Sequence, residues 1–240
     1  MKSIFKSYIS INFTLVIFLT LFTFCSSPVE SDAVNSQEYD LTKQLELMDL
    51  EELSPEETDG LLFMREEEKL ARDVYLVMYE KWGVRAFSNI ANSEQKHMDA
   101  IKVLLDRYSL NDPVTDDKKG KFINSDLQNL YDQLTVMGSE SLLAGLKVGA
   151  AIEEIDILDL EEQLNNVVDN EDIKLVYNNL LRGSRNHLRA FVKNIGNQGE
   201  TYIPQHMELN AYEEIINSEM ERGGNGKGKR YGKGKGKNNG

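Results

Sequence analysis

Apolar residues recur at spacings of three and four over four long stretches of the chain, which is the pattern of amphipathic helices. Alternation of apolar and polar residues, the pattern of a half-buried strand, does not persist for six residues anywhere. We therefore predict an all-α fold. The four predicted helices cover residues 54–82, 86–108, 139–165 and 173–195.

The ends of the first helix are marked by local signals. Ser54 and Glu57 form a capping box, with Pro55 at the first helical position, and Gly83 follows the last apolar position. The third helix is expected to start at Ser139. These signals set the boundaries of the folded domain on its N-terminal side.

The connections between the helices indicate how they pack. The first and last links are short, whereas residues 109–138 form a long connection with a short amphipathic helix at residues 126–134. Short, long and short links are one known way to close a bundle of four helices. We predict a four-helix bundle with a long crossover between helices 2 and 3, followed by a short helix at residues 211–220.

Polar residues interrupt the apolar stripes of the second and fourth helices. Glu94 and His97 lie on the stripe of the second helix, one turn apart. On the fourth, His187 stands among apolar residues, with Ser184 one turn before it. Both helices are therefore expected to direct an imidazole toward the bundle interior.

The first and third helices carry carboxylates on their inward faces. Glu68 lies on one apolar stripe of the first helix and Glu67 on the neighbouring stripe. On the third helix the stripe favours Glu153, with Glu154 beside it and Asp156 one turn further on. All four helices thus offer a polar group at about mid-length.

Acidic groups in an apolar interior strongly destabilise a protein unless something compensates their charge. A metal ion at the bundle centre compensates several ligands at once. Oxygen ligands with imidazole suit iron, manganese or zinc, and a carboxylate-rich set with one histidine per metal favours iron or manganese. The alternative is a polar centre closed by pairs between glutamates and arginines, for which Arg72, Arg185 and Arg189 are available.

Composition limits the partners of the chain. Its 240 residues are 40% hydrophobic, enough for one domain with a sizeable core. The formal net charge of −13 argues against nucleic acid as a partner of the folded part, because phosphate binding needs a basic face.

Residues 1–25 have the order of a secretory signal, with Lys2 and Lys6 before an apolar run that ends at Cys25. Cys25 is the only cysteine, so no disulfide forms within one chain. It resembles the lipid-acceptor cysteine of bacterial lipoproteins, although Phe24 stands where that family has a small residue. We expect an exported protein of the bacterial cell envelope, anchored to the membrane by a lipid on Cys25. Cleaved export and an uncleaved anchor are the alternatives.

The segments that flank the domain at residues 54–222 are expected to be solvated. Residues 26–53 form an acidic tether, in which residues 41–53 have some helical character. Residues 223–240 are rich in glycine and basic residues, contain no acid, and are expected to form a disordered tail. This tail either keeps the protein soluble or contacts anionic surface polymer or lipid headgroups.

Four short motifs resemble those of the ferritin-like di-iron carboxylate superfamily, in chain order. EEKLARDVY resembles the first-helix motif Glu-x-x-Ala-Arg-x-x-Tyr of its rubrerythrin branch, which favours Glu68 over Glu67. SEQKH, VGAAIEEIDI and GSRNHLRAF resemble the motifs of the other three helices. Residues 58–220 also resemble, more narrowly, the DUF2202 family of ferritin-like proteins. The ligands that the resemblance implies are Glu68, Glu94, His97, Glu153 and His187, with Glu154 in reserve.

The fourth helix departs from the superfamily pattern. Where Glu-x-x-His is expected, the chain has Ser184 and His187, so one carboxylate is missing. Either Asp156 or Glu154 takes its place, or the site holds a single ion or an asymmetric pair. The departure puts oxygen chemistry in doubt more than metal binding.

The resemblance implies an exported protein that binds iron, or manganese, with oxidase, peroxidase or ferroxidase activity. The alternative is a non-catalytic scaffold or metal-binding module with a degenerate bundle centre. The resemblance also implies pairing into a homodimer, although the residues themselves show no interface pattern. His206, outside the four helices, is expected at the surface.

Overall fold

The computed structural model describes residues 41–222, and within this range the chain contains helices and no strand. This confirms the all-α prediction. Residues 41–46 form a helical segment that precedes the bundle. The helices that follow are α1 (Pro55–Trp82), α2 (Arg85–Arg107), α3 (Ser125–Gly138), α4 (Leu142–Asn166), α5 (Glu171–Asn197) and α6 (Leu209–Asn217).

The bundle is built from two pairs of long helices. α1 packs along α2, and α4 packs along α5. Contacts between α2 and α5 and between α1 and α4 join the two pairs, while α3 lies against α1 and α4. The apolar stripes of the four long helices form one core, which includes Tyr75, Phe87, Tyr177 and Phe191.

The ends of α1 follow the signals in the sequence. The backbone N–H of Ser54 donates to Glu57 Oε2 at 2.9 Å, and the N–H of Glu57 donates to Ser54 Oγ at 3.1 Å. At the other end Gly83 has a φ of 67°, a left-handed conformation that glycine adopts at little cost. The predicted capping box and the glycine stop are confirmed.

The third long helix begins later than the sequence indicated. α3 continues to Gly138 and Ser139 is its C-cap, so the prediction of a start at Ser139 is wrong by three residues. The N-cap of α4 is Ser141, whose hydroxyl accepts a hydrogen bond from the N–H of Ala144 at 3.0 Å. Both serines are good capping residues, and only the packing of α3 decides between them.

The second half of the predicted acidic tether is packed against the bundle. Leu45 is 1% exposed and belongs to the core. Arg107 donates to the carbonyl oxygens of Met48 at 2.8 Å and of Asp49 at 3.2 Å. Residues 41–53 therefore do not form the solvated tether that their acidity predicted, because Leu45 enters the core and Leu41, Met48 and Leu53 pack against it, while Leu47 and Leu50 stay exposed.

Buried carboxylates of α1 hold the long crossover in place. Asp73, fully buried, accepts hydrogen bonds from Lys69 Nζ at 2.5 Å and from the N–H of Gly120 at 2.8 Å. Lys69 also donates to the carbonyl of Lys118 at 2.9 Å. Glu66 accepts from the backbone of residues 123 and 124. The crossover is thereby fixed along the outer side of α1.

The predicted signal peptide at residues 1–25 and the predicted basic tail at residues 223–240 lie outside the described residues. Between residues 41 and 222, no helix combines the length and the apolar character needed to cross a membrane.

Replacement of Glu57 by glutamine should make the unfolding free energy less dependent on pH. Burial raises the pKa of Glu57, but hydrogen bonds from the backbone of Ser54, Asp169 and Asn170 outweigh it and lower the pKa below its ordinary value of 4.5. A lowered pKa stabilises the fold above pH 4.5, and that stability is lost as the pH falls through the folded pKa. At pH 7 we expect Glu57→Gln to lose about 1 kcal/mol of unfolding free energy.

Urea titrations of both proteins between pH 7 and pH 3 test this expectation. The stability difference between wild type and Glu57→Gln should narrow toward low pH. A difference that stays constant over the whole range would contradict the assigned role of the ionised carboxylate.

Loss of the buried acid at position 73 should be far more costly than loss of an exposed one. Asp73→Ala leaves Lys69 buried without its anion, which should lower the unfolding free energy by about 3–5 kcal/mol. The exposed pair of Lys102 and Asp106, also at i and i+4, provides the matched control. Asp106→Ala should cost less than about 1 kcal/mol in the same urea titration. Similar losses in the two variants would refute the anchoring role of Asp73.

Candidate metal centre

Five of the predicted ligands meet at the centre of the bundle, one or two from each long helix. They form two trios, and within each trio one ligand atom per residue lies within 4.8 Å of the others. Glu94 belongs to both trios and therefore lies between them. None of the five is more than 8% exposed. The first trio is Glu68, Glu94 and His97, and the second is Glu94, Glu153 and His187.

The first trio joins α1 to α2. Residues three apart share one helix face, so Glu94 and His97 point the same way. His97 Nδ1 lies 2.7 Å from Glu94 Oε2 and 3.1 Å from Glu68 Oε2. The Nδ1 atom of His97 is thus the one directed at the two carboxylates.

The second trio joins α2 to α4 and α5. His187 Nδ1 lies 2.9 Å from Glu94 Oε1 and 3.5 Å from Glu153 Oε2. Glu94 therefore turns one oxygen toward each histidine. Tyr75 donates to Glu153 Oε1 at 2.6 Å, and Ser93 Oγ lies 3.0 Å from His187 Nε2. These outer contacts orient the carboxylate and the ring.

Charges of both signs set the pKa values at the centre. Burial raises the pKa of Glu68 and that of Glu153 to about 7, although His97 and His187 respectively act against it. Burial disfavours the ionised form of Glu94 too, but His187 and His97 outweigh it and lower its pKa. Burial would lower the pKa of His187, yet Glu94 and Glu153 raise it to about 10. The buried carboxylates thus favour the charged form of the histidines, and the histidines favour the ionised form of Glu94.

Several of the ligand atoms have no hydrogen-bond partner. Glu68 Oε1, both oxygens of Glu94 and His187 Nδ1 are buried and make no hydrogen bond. Two of the short contacts to Glu94 therefore lack the direction of hydrogen bonds. Two groups of carboxylate oxygens, each with one imidazole nitrogen within 4.8 Å, are a donor set that iron or manganese could occupy.

Arginine does not supply the compensating charge in the part of the chain that the structure describes. Arg72 binds Asp73 and Asp117, and Arg185 binds Glu221. Arg189 donates to the carbonyl of Ile215 and to Glu221. The alternative of a centre closed by arginine–glutamate pairs therefore does not match the contacts of these three residues.

Asp156 of α4 is the buried carboxylate that lies beside Ser184 of α5, where the superfamily pattern has one more glutamate. Ser184 Oγ donates a short hydrogen bond to Asp156 Oδ2, whereas Asp156 Oδ1 has no partner. Burial and the charges of Glu68 and Glu153 raise the pKa of Asp156. Asp156 adjoins both trios without belonging to either. Of the two residues considered for the gap, the geometry thus favours Asp156.

Glu154, expected as a reserve ligand, is directed away from the centre. It accepts hydrogen bonds from the Tyr202 hydroxyl at 2.6 Å and from the backbone N–H groups of Gln205, His206 and Met207. Its two oxygens thus anchor the segment after α5. His206, expected at the surface, is half-buried there and lies outside both trios. Apolar periodicity cannot separate adjacent carboxylates when both are buried.

Two further features were not evident from the sequence. Glu67, set aside in favour of Glu68, is 3% exposed and lies beside Asp159, one turn beyond Asp156. Gly183 lies against His97, and a Cβ atom there would come within 2.5 Å of His97 Nε2. The three-residue spacing of Asp156 and Asp159 was the sequence signal that could have indicated the position of Glu67. The contact of Gly183 with His97 has no such signal, because it depends on tertiary structure alone.

A methyl group at position 183 should disturb the first trio. Gly183→Ala must displace the His97 ring, and overpacking of this kind costs about 1–3 kcal/mol of unfolding free energy. Gly196, on the same helix, has open space around it, and Gly196→Ala should gain up to about 1 kcal/mol. Urea unfolding measures both changes, and NMR of the His97 imidazole measures its displacement. An unshifted His97 signal in Gly183→Ala would contradict this geometry.

Comparisons with known proteins agree with this architecture. The chain is 55% identical, over 173 residues, to the uncharacterized protein MJ0754 of Methanocaldococcus jannaschii, covering 72% of this chain and 93% of the relative. The crystal structure of that hypothetical protein superimposes with a TM-score of 0.71 at 53% identity, covering 72% of this chain and 99% of that one. Residues 57–219 match the family described as uncharacterized protein domain DUF2202, and the chain belongs to this family.

Proposed function

We propose that this protein is a ferritin-like metal-binding protein with a non-haem iron, or manganese, carboxylate site. The observation that carries the proposal is the position of Glu94, whose two buried oxygens face two histidines and make no hydrogen bond. Motif order on four helices supports the ferritin-like assignment, and the share of carboxylates supports iron or manganese.

The roles of the residues follow from their contacts. Glu68, Glu94 and His97 would hold one ion, and Glu94, Glu153 and His187 would hold a second. Tyr75 fixes the orientation of Glu153, and Ser93 that of His187. Such outer contacts set ligand orientation and the electronic properties of a metal.

Oxidase, peroxidase or ferroxidase activity is the reaction class that this donor set suits. Bound iron would supply the electron transfer that oxygen or peroxide requires. The chain itself contributes an enclosed centre, since none of the five ligands exceeds 8% exposure. Protons held by the two histidines and by Glu68 and Glu153 would leave when metal binds.

The two trios together have one carboxylate fewer than the superfamily pattern, and this favours a second candidate function. Ser184 and Asp156 stand beside the centre where the superfamily has one more ligating glutamate. A site of this kind suits a metal-binding module or scaffold without redox turnover. Reaction with oxygen or peroxide distinguishes the two candidates.

The cellular location of the protein is part of the proposal. We infer export to the bacterial cell envelope from the order of charge and apolar residues in residues 1–25, with a lipid on Cys25 as the membrane anchor. The basic residues of the segment 223–240 would contact anionic surface polymer. A homodimer remains the expected assembly from the family resemblance.

Metal content measured by elemental analysis tests the centre. Protein purified without a metal-chelating tag should contain iron or manganese, and Glu94→Gln and His97→Ala should each lose most of it. Tyr75→Phe should weaken binding by about 10–100-fold, the usual effect of losing an outer contact. His206→Ala removes a histidine outside the trios and should leave the metal content unchanged.

Equal metal content in wild type, Glu94→Gln and His97→Ala would refute the proposed centre. Where metal is bound, loading with Fe(II) without oxygen and then admitting oxygen or peroxide tests the reaction. An absorbance change in wild type that is lost in Glu94→Gln supports an oxidoreductase. If wild type binds iron but its absorbance does not change when oxygen or peroxide is admitted, the non-catalytic module is favoured.

A further inference from the structure

Of the five candidate ligands, the two histidines have the most contact with solvent. His97 and His187 are each 8% exposed, whereas the three glutamates are each 1% exposed. Both rings direct Nδ1 at Glu94, so the ring edge that carries Nε2 is turned away from it. The outer edges of the two rings therefore form the part of the centre that lies nearest to solvent.

These outer edges lie where α2 meets α5. The rings of His97 and His187 stack across the two helices, with centroids 5.5 Å apart and planes at 27°. Ser93 of α2 places its Oγ 3.0 Å from His187 Nε2, and Gly183 of α5 lies against His97 Nε2. Ser93 and Gly183 are both half-buried, so solvent reaches them. These four residues, which we call the α2–α5 junction, thus place a small residue beside each histidine.

The opposite side of the centre, between α1 and α4, is covered by a helix. α3 lies against both α1 and α4. It follows α1 from Glu66, which accepts hydrogen bonds from the backbone just before α3, to Trp82, whose Nε1 donates to the last carbonyl of α3 at 3.0 Å. Within this length the fully buried Tyr75 donates to Glu153. Entry from this side would require movement of a helix, whereas entry between α2 and α5 requires movement of side chains alone.

We propose that the α2–α5 junction is the route by which metal ions and small inorganic reactants reach the centre. This inference rests on the proposed function, because it takes the two trios as the place where the metal is held. Ser93 and Gly183 determine passage, since their small size leaves the outer edges of the two rings unobstructed.

The junction also limits the class of reactant. Both rings stand between solvent and the carboxylates, so a molecule passes when a ring rotates, and the gap that opens is no larger than an imidazole. A divalent cation, oxygen or hydrogen peroxide is small enough to use such a gap. An organic substrate needs a concave site that encloses most of its surface. The proposed reactants are therefore inorganic.

The competing description is entry by local opening of the bundle, in which whole helices separate for a short time. Opening of this kind depends on the stability of the helices and is insensitive to one side chain at their junction. The α2–α5 route predicts instead that the size of the side chain at position 93 sets the rate of entry.

Uptake of Mn²⁺ by the metal-free full chain, measured from the loss of the free-ion electron paramagnetic resonance signal after rapid mixing, tests the route. Ser93→Leu fills the junction, and Ser93→Ala loses the same contact with His187 without filling it. Uptake should be about tenfold slower in Ser93→Leu than in Ser93→Ala, because overpacking raises the barrier to ring rotation. Ser93→Val, a smaller replacement, should give an intermediate rate.

Ser88 provides the matched control on the same helix. It is half-buried like Ser93, but its Oγ donates to the carbonyl of Arg85 at 3.2 Å. Ser88→Leu should therefore take up Mn²⁺ at the wild-type rate.

Deuterium exchange at the imidazole Cε1 positions, measured by mass spectrometry, follows the access of water without any metal. Exchange at His97 and His187 should be slower in Ser93→Leu than in Ser93→Ala. His206, which lies outside both trios, should exchange equally in the two variants and serves as the internal reference.

Equal rates of Mn²⁺ uptake in Ser93→Leu and Ser93→Ala would overturn the proposed route in favour of bundle opening. If wild type binds no Mn²⁺, the proposed function fails, and exchange at the two histidines then decides the route by itself. Equal exchange in Ser93→Leu and Ser93→Ala would overturn the route in that case.

Discussion

The structure depends on the compensation of negative charge inside the bundle. Glu68, Glu94 and Glu153 come from three helices and meet two histidines in an environment that excludes water. Bringing these groups together is unfavourable unless positive charge accompanies them. The neighbouring carboxylates raise the pKa of His97 and His187, which favours their positively charged forms, and a metal ion at the same place would supply more positive charge.

Buried carboxylates have two distinct environments in this protein. Glu57, Glu66, Asp73 and Glu154 each accept hydrogen bonds from backbone N–H groups, and each fixes a loop against a helix. Glu67, Glu68 and Glu94 have oxygens that no donor reaches. The first group stabilises the fold by satisfied hydrogen bonds, while the second leaves lone pairs directed into the interior. Of the second group, Glu68 and Glu94 are the two whose ligand atoms lie close to a histidine nitrogen, and this contrast supports the proposed metal centre.

The arginines bind outside the bundle centre, as do the carboxylates that fix loops. Arg65, Arg72, Arg185 and Arg189 all bind groups at the periphery of the bundle, where they hold the crossover and the segment that ends at Glu221. Positive charge from the chain is thus used to attach loops. The carboxylates of the two trios lie against histidines instead, and in the proposed function a metal would add further positive charge.

The sequence by itself determined the helices, most of their ends and the residues that meet at the centre. Apolar periodicity identifies the inward face, and the capping box at Ser54 marks where α1 starts, because both are local properties. The five ligands in the two trios were all predicted from stripes and motif order. The apolar stripe favoured Glu153 over Glu154, but the role of Glu154 came only from tertiary structure, in which the loop after α5 reaches its carboxylate. Tertiary structure also decided three contacts, which are those of Glu67 with Asp159, of Leu45 with the core and of Gly183 with His97. Each contact joins residues that are far apart in the chain. Whether such residues meet depends on how the helices pack, which local sequence patterns do not specify.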